Sequence, residues 1–161
     1  MIKEEIIMLE VVPFEPGHLL DIDLIDFQAY MKPMIEKEIY RKMLALSGPA
    51  YSGFDENGKL IGVAGVRQLN EKTYHAWGIF SKDLPKHSIA VLKAINLFCK
   101  SMFDNQAADR IQADVSMNYP AGIRFAQVLK FQPEAIMKYY HQGVDHILYV
   151  RTNPWLQDSI L

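Results

Sequence analysis

The sequence predicts one mixed α/β domain over residues 1–161, with about seven strands in a mostly antiparallel sheet and about four flanking helices. Three observations carry this reading. Asn57-Gly58 lies between two runs rich in β-branched and aromatic residues, and Asn-Gly supplies the positive φ angles of a tight hairpin. Val91, Ile95, Phe98 and Met102 recur at spacings of four, three and four, the core-facing stripe of a long helix. Ile111, Ala113, Val115 and Met117 then alternate with polar residues, as a half-buried strand does.

Taken in order, the chain opens with a strand over Ile6 to Phe14, closed by Pro13 and Pro16-Gly17. A short helix is expected over His18 to Tyr30. From Lys32 a second helix is expected to bury Ile35, Ile39, Met43 and Leu46 and to stop at Gly48-Pro49. Ala50 to Phe54 and Lys59 to Gln68 form the hairpin, and a turn at Asn70-Glu71-Lys72 leads into a fourth strand, Thr73 to Phe80. After a loop over Ser81 to His87, the long helix begins near Ser88. The strand of Ile111 to Met117 follows, then a helix with Pro120 in its first turn running to about Lys130. Glu134 to Tyr140 and His146 to Arg151 close the chain as a hairpin across Gln142-Gly143-Val144-Asp145. A strand-helix-strand step from Thr73 to Met117 places those two strands side by side and parallel.

Composition excludes several classes. Seventeen Lys and Arg against nineteen Asp and Glu give a formal charge of −2, so no global basic field draws nucleic acid or an anionic membrane. No apolar run approaches the ~20 residues that cross a bilayer. Met1-Ile2-Lys3-Glu4-Glu5 places acid where a secretory signal carries base, and a cytoplasmic protein is expected. The single Cys99 lies in an apolar helical run and reads as a core thiol. His141 and His146 stand five apart with no further ligand nearby, so no metal site is expected. His87-Ser88 lacks a nucleophile elbow, which argues against a hydrolase.

The order of elements resembles the GNAT N-acetyltransferase fold over nearly the whole chain. Trp77-Gly78-Ile79-Phe80, Arg110 to Val115, Ala121 to Ala126 and Asp145 to Tyr149 look like the GNAT-like proteins of tailed bacteriophages, some of them internal virion proteins of short-tailed phages. The resemblance implies that the fourth and fifth strands splay and that acetyl-CoA is the co-substrate. Ile79, Phe80 and Ser81 would then flank its pantetheine arm. Lys86, His87 and Ser88, with Lys82 nearby, would meet the pyrophosphate at a helix start, and Asn118 would approach the coenzyme arm.

Two departures from the family pattern stand out. Ser81 to Ser88 contains no glycine, so side-chain charge would replace part of the backbone cradle; Asp83 adds repulsion and Pro85 lacks an N–H donor. Ala126 occupies the position where many members carry the Tyr that protonates the departing thiolate, and Lys130 replaces the usual Gly before Phe131. Acyl transfer to an amine needs a base and an acid. The expected base is His75, the expected acid Tyr139 or Tyr140, with Tyr119 also weighed. Asp114 and Ser116 share a face of the fifth strand and approach the acceptor, while Trp77, Phe125, Phe131, Tyr139, Tyr140 and Tyr149 are expected to fill the core and its rim. Met31, Met34 and Met43 read equally as gap-filling core or as a soft contact surface. Two functions follow: an acetyltransferase acting on a small-molecule or protein amine, or a catalytically degenerate protein of the same fold that binds a virion or host partner.

Overall fold

A computed structural model describes residues 8–156. Strand pairing follows the order β1-β2-β3-β4-β5-β7-β6, a seven-stranded mixed sheet with four α-helices, as the sequence predicts. By internal contacts the chain groups into two compact units, one of residues 8–65 with Gly78–Ala94, the other of Val66–Trp77 with residues 95–156.

In the first unit, β1 (Glu10–Pro13) pairs antiparallel with β2 (Ala50–Phe54), and β2 with the opening of β3 (Leu60–Asn70). Ile6 and Ile7 of the expected first strand lie outside the described residues. The Asx turn of Asp55, whose Oδ1 accepts the N–H groups of Asn57 and Lys59 at 2.9 Å, and Gly58 at φ 76° make the β2–β3 turn. Leu19, Ile61, Val63 and Ile79 are buried to 1% exposure or less and form this unit's core.

Two expectations fail in this unit. The helix over His18 to Tyr30 is replaced by 3-10 turns at Pro16–Leu19 and Asp26–Met31, with Asp21 at φ 66° between them. Sheet pairing overrides helical propensity here: Leu24 forms an antiparallel bridge with Ser81, and the backbone groups of Asp23 and Ile25 bond to Lys82 and Phe80. The second expected helix is divided into α1 (Lys32–Ile35) and α2 (Glu38–Leu46). Ile35 is buried, but Ile39, Met43 and Leu46 are 77%, 58% and 87% exposed. The buried side of α2 belongs to Arg41, whose Nη1 donates to the carbonyls of Ile35 (2.8 Å) and Glu36 (3.0 Å) at the break between the helices. A cation beneath α2 satisfies carbonyls that a continuous helix would have bonded itself.

In the second unit, β4 (Thr73–Phe80) and β5 (Arg110–Ser116) are parallel through Thr73↔Arg110, Tyr74↔Ile111 and His75↔Gln112, and the register ends there. From Arg110↔Thr152 to Ser116↔His146, β5 pairs antiparallel with β7 (Val144–Thr152), and β7 pairs with the edge strand β6 (Gln132–His141). Gln142 and Gly143 at φ 51° and 73° make the last hairpin turn. Phe103, Ile111, Phe131 and Tyr149 form the core, with Cys99 buried among them and its thiol pushed up to about 11 by burial. Tyr139 and Tyr140, expected at the core rim, are exposed instead.

α3 (Leu84–Asp104) begins four residues before the expected start, with Pro85 in its first turn, where a missing N–H costs nothing. α4 (Pro120–Val128) ends before Lys130, which holds φ 67° at the position where the resemblance calls for Gly.

Candidate functional site

Alternation along β5 sends Arg110, Gln112, Asp114 and Ser116 to one face and Ile111 to the core. On that polar face Asp114 bridges two histidines. Its Oδ1 lies 2.8 Å from His75 Nε2 on β4, and its Oδ2 2.9 Å from His146 Nδ1 on β7. Burial raises the Asp114 carboxyl, but the imidazole donors on both oxygens outweigh it and hold the group below its usual value. An ionised carboxylate only accepts hydrogen bonds, so both facing nitrogens carry hydrogen. In its neutral form His146 then carries its hydrogen on Nδ1 and a lone pair on Nε2, the arrangement of an oriented general base.

His75, the expected base, stands differently. Its second nitrogen, Nδ1, lies 3.4 Å from Gln112 Nε2, so both ring nitrogens are engaged. Among the described residues, the ring nitrogen of this cluster with no hydrogen-bond partner is Nε2 of His146, a residue the sequence reading considered only as a metal ligand. The missed signal was the β5–β7 register, which sets His146 opposite Ser116 and within reach of Asp114.

Of the two expected acids, only Tyr140 reaches the cluster. Its ring centroid is 5.2 Å from that of His146, and burial together with the nearby Asp114 charge pushes its phenol up, keeping it protonated. Tyr139 adopts φ 50° and is 78% exposed, its N–H held by Asp145 Oδ1 at 2.9 Å. Tyr119 is half-buried ahead of α4, and Ala126, at the family's acid position, is buried. Asn118 is exposed in the turn after β5, its N–H bonded to Ser116 Oγ.

Apart from Asn118, the expected coenzyme contacts lie in the first unit, where the chain itself occupies them. Ser81 donates its N–H to Ile61 of β3, so Gly78 and Phe80 present their backbone groups to the opposite edge of β4. There the Gln28 amide donates to Gly78 O (2.7 Å) and accepts the Phe80 N–H (2.8 Å), while Ile25 donates to Phe80 O (3.0 Å). Ile79 and Ser81 are buried.

The start of α3 is equally satisfied. Asp83 N–H bonds Ser81 Oγ, Leu84 N–H bonds Ser81 O, Lys86 N–H bonds Asp83 O, and Pro85 has none. The Asp83 carboxylate, held low chiefly by its hydrogen bond to Lys59 Nζ at 2.5 Å, already places an anion at this terminus. Lys86 sits 3.7 Å from the same carboxylate, Lys82 bridges Asp23 and Asp26, and Ser88 bonds back to Pro85 O. His87 alone keeps a buried ring nitrogen, Nδ1, with no hydrogen-bond partner. These residues do not fit a pantetheine arm paired to β4 or a pyrophosphate cradled on backbone N–H groups.

A cavity of about 580 Å³ in the second unit is lined by Phe103, Lys130, Arg151 and Trp155 among others, and contains no predicted site residue. Its charged groups are largely paired already, Lys100 with Asp104 and Glu134 with Arg110. Among the described residues no group of His, Cys, Asp or Glu is arranged to hold a metal ion, and no helix is long and apolar enough to cross a membrane.

No family model matches the chain, and no curated protein sequence does. Solved structures do. A ribosomal-protein-S5-alanine acetyltransferase from Vibrio fischeri superposes with a TM-score of 0.71 at 18% identity, over 92% of this chain and 95% of that one. A GNAT-family acetyltransferase from Bacillus anthracis gives 0.69 at 16%, over 90% and 95%. A spermidine/spermine N-acetyltransferase from Vibrio cholerae gives 0.65 at 16%, over 90% and 92%. At these identities the likeness speaks for architecture, and the chain has the fold of the GNAT acetyltransferases.

Proposed function

We propose that the chain is an acyltransferase acting on an amine, with His146 as general base and Tyr140 as general acid. The observation that carries this reading is the Asp114–His146 pair, which leaves the Nε2 lone pair of His146 as the acceptor of the cluster. As an amine nitrogen bonds to an acyl carbon, its surplus proton passes to His146 Nε2. Asp114 stabilises the imidazolium that results, and the Tyr140 hydroxyl protonates the leaving group as its bond to the acyl carbon breaks. The donor is a thioester; acetyl-CoA, which the resemblance suggests, would first have to displace Gln28 from the β4 edge, and the acceptor is an amine of a small molecule or a protein.

A second reading is favoured by the occupied edge of β4 and by Asp83 at the start of α3. In it the chain is a GNAT-fold protein of phage type that has lost its coenzyme groups and acts by contact with a virion or host protein. Thiol release from acetyl-CoA and from the short acetyl thioester of N-acetylcysteamine, measured against a panel of amines, separates the two. The first reading expects turnover with at least the short thioester and its loss in His146→Gln. Turnover unchanged in that variant overturns the base assignment, and no turnover with either donor supports the second reading.

A further inference from the structure

We propose that Gln112, locked in place by Arg110, decides which of the two histidines on Asp114 receives the proton, and assigns it to His146. The inference rests on the reading of His146 as base and names the residue that makes it so. Hydrogen-bond polarity along one face of the sheet carries it. Glu134 grips Arg110 through both carboxylate oxygens, at 2.7 and 2.9 Å. Arg110 Nε donates to Gln112 Oε1 at 2.9 Å. A guanidinium can only donate, so the Gln112 amide must turn its oxygen to Arg110 and its NH2 to His75. His75 Nδ1 therefore faces a donor.

Protonating His75 would set an imidazolium N–H against that NH2, and Gln112 cannot turn away without breaking its bond to Arg110. Among the described residues no donor is hydrogen-bonded to His146 Nε2. The groups near the His146 ring are Tyr140 and His141, with ring centroids at 5.2 and 6.2 Å, Asp114 on the Nδ1 side, and beyond Tyr140 the Arg67 cation of β3. One carboxylate shared by two imidazoles can best compensate a single imidazolium. Gln112 makes it that of His146. Gln112 and Arg110 are thus positioning residues, acting through His75 and Asp114.

The test is 15N NMR of the side chains in 15N-histidine-labelled full-length protein, with His75→Gln and His146→Gln used for assignment. As pH is lowered, His146 Nε2 should be the first of the two to move from the pyridine-like to the pyrrole-like region, while His75 Nδ1 stays pyridine-like. Gln112→Glu keeps an acceptor toward Arg110 but turns a second acceptor toward His75, so the first proton should appear on His75 Nδ1. Gln112→Leu should abolish the preference. A first proton on His75 in the wild type, or an unchanged order in both variants, overturns the proposal, and the wild-type spectrum decides even if a variant fails to fold. Thiol release is read separately. The expected proton order without turnover keeps the positioning role and removes the acyltransferase reading, whereas His146-dependent turnover with the opposite order does the reverse.

Discussion

The two ends of β4 treat their polar groups in opposite ways. At Gly78 to Ser81, backbone N–H and C=O groups are bonded by Ile25, Gln28 and Ile61, and the neighbouring start of α3 is bonded within itself. At His75, side chains from three strands form a continuous chain of hydrogen bonds that, among the described residues, ends at His146 with Nε2 unbonded. A region whose donors and acceptors are all used offers a ligand only exchange of one bond for another. A region with one unsatisfied acceptor in a half-buried network offers reactivity. The likeness to the GNAT fold draws attention to the first region, and the proposed chemistry uses the second.

The largest expected effect breaks the reactive end. His146→Gln should lower the rate of amine acylation by roughly 10²- to 10⁴-fold, the usual worth of general acid–base help. His75→Gln should cost less, and Tyr139→Phe should leave the rate unchanged while Tyr140→Phe lowers it. Asp114→Asn should match His146→Gln in rate and also alter acid stability. Because the Asp114 carboxyl is held below its usual value in the fold, its stabilisation is complete above about pH 4, the unfolded value, and is lost as pH falls through the folded one. The Asn variant should lack that part of the acid slope in denaturant titrations. An unchanged slope would show that the bridge does not stabilise the fold.

Next in size is the closed end. Wild-type protein should show no thermal stabilisation by CoA. Gln28→Ala combined with Asp83→Ser, which frees the β4 edge and removes the carboxylate while keeping a capping hydroxyl, should gain some. At a CoA concentration of 100 Kd the gain is about 2.7 kcal/mol. Stabilisation of the wild type, abolished by replacing Lys86 and His87 with Glu, would mean that CoA displaces Gln28 unaided.

Smaller effects sharpen the same contrast through packing and backbone. A Cβ at Gly62 would lie 2.5 Å from the Phe80 ring and 3.2 Å from Ile79 O, so Gly62→Ala should destabilise by about 1–3 kcal/mol in equilibrium unfolding. The smallest change runs the other way. Lys130 holds a left-handed conformation at φ 67°, so Lys130→Gly should stabilise by roughly 0.5–1 kcal/mol, with no effect on catalysis. A loss of stability there would show that the Lys130 side chain contributes more than its backbone strain costs.

Local signals determined the strands, the hairpins and the parallel contact of β4 with β5, whereas the placing of β7 beside β5 with β6 at the edge came only with the tertiary structure. Gly58, with the Asp55 carboxylate capping the turn, and Gln142-Gly143 specify the two hairpin turns, and the alternation along Arg110 to Ser116 separates the core face from the polar face. The same alternation made Asp114 visible as a candidate, and the position of His75 on β4 did so for that residue. Elements failed where a distant group competed for the backbone. The expected helix over His18 to Tyr30 gave way because Leu24 and Ile25 find partners on β4, and the stripe of Ile39, Met43 and Leu46 faces outward because Arg41 takes the buried side of α2. The hydrogen-bond network around His146, on which the proposed base rests, was likewise beyond local reading. Periodicity says which face a side chain takes. Which nitrogen carries a proton depends on donors and acceptors brought together from β4, β5, β6 and β7, and only the tertiary structure sets Gln112 against His75 and Asp114 between two imidazoles.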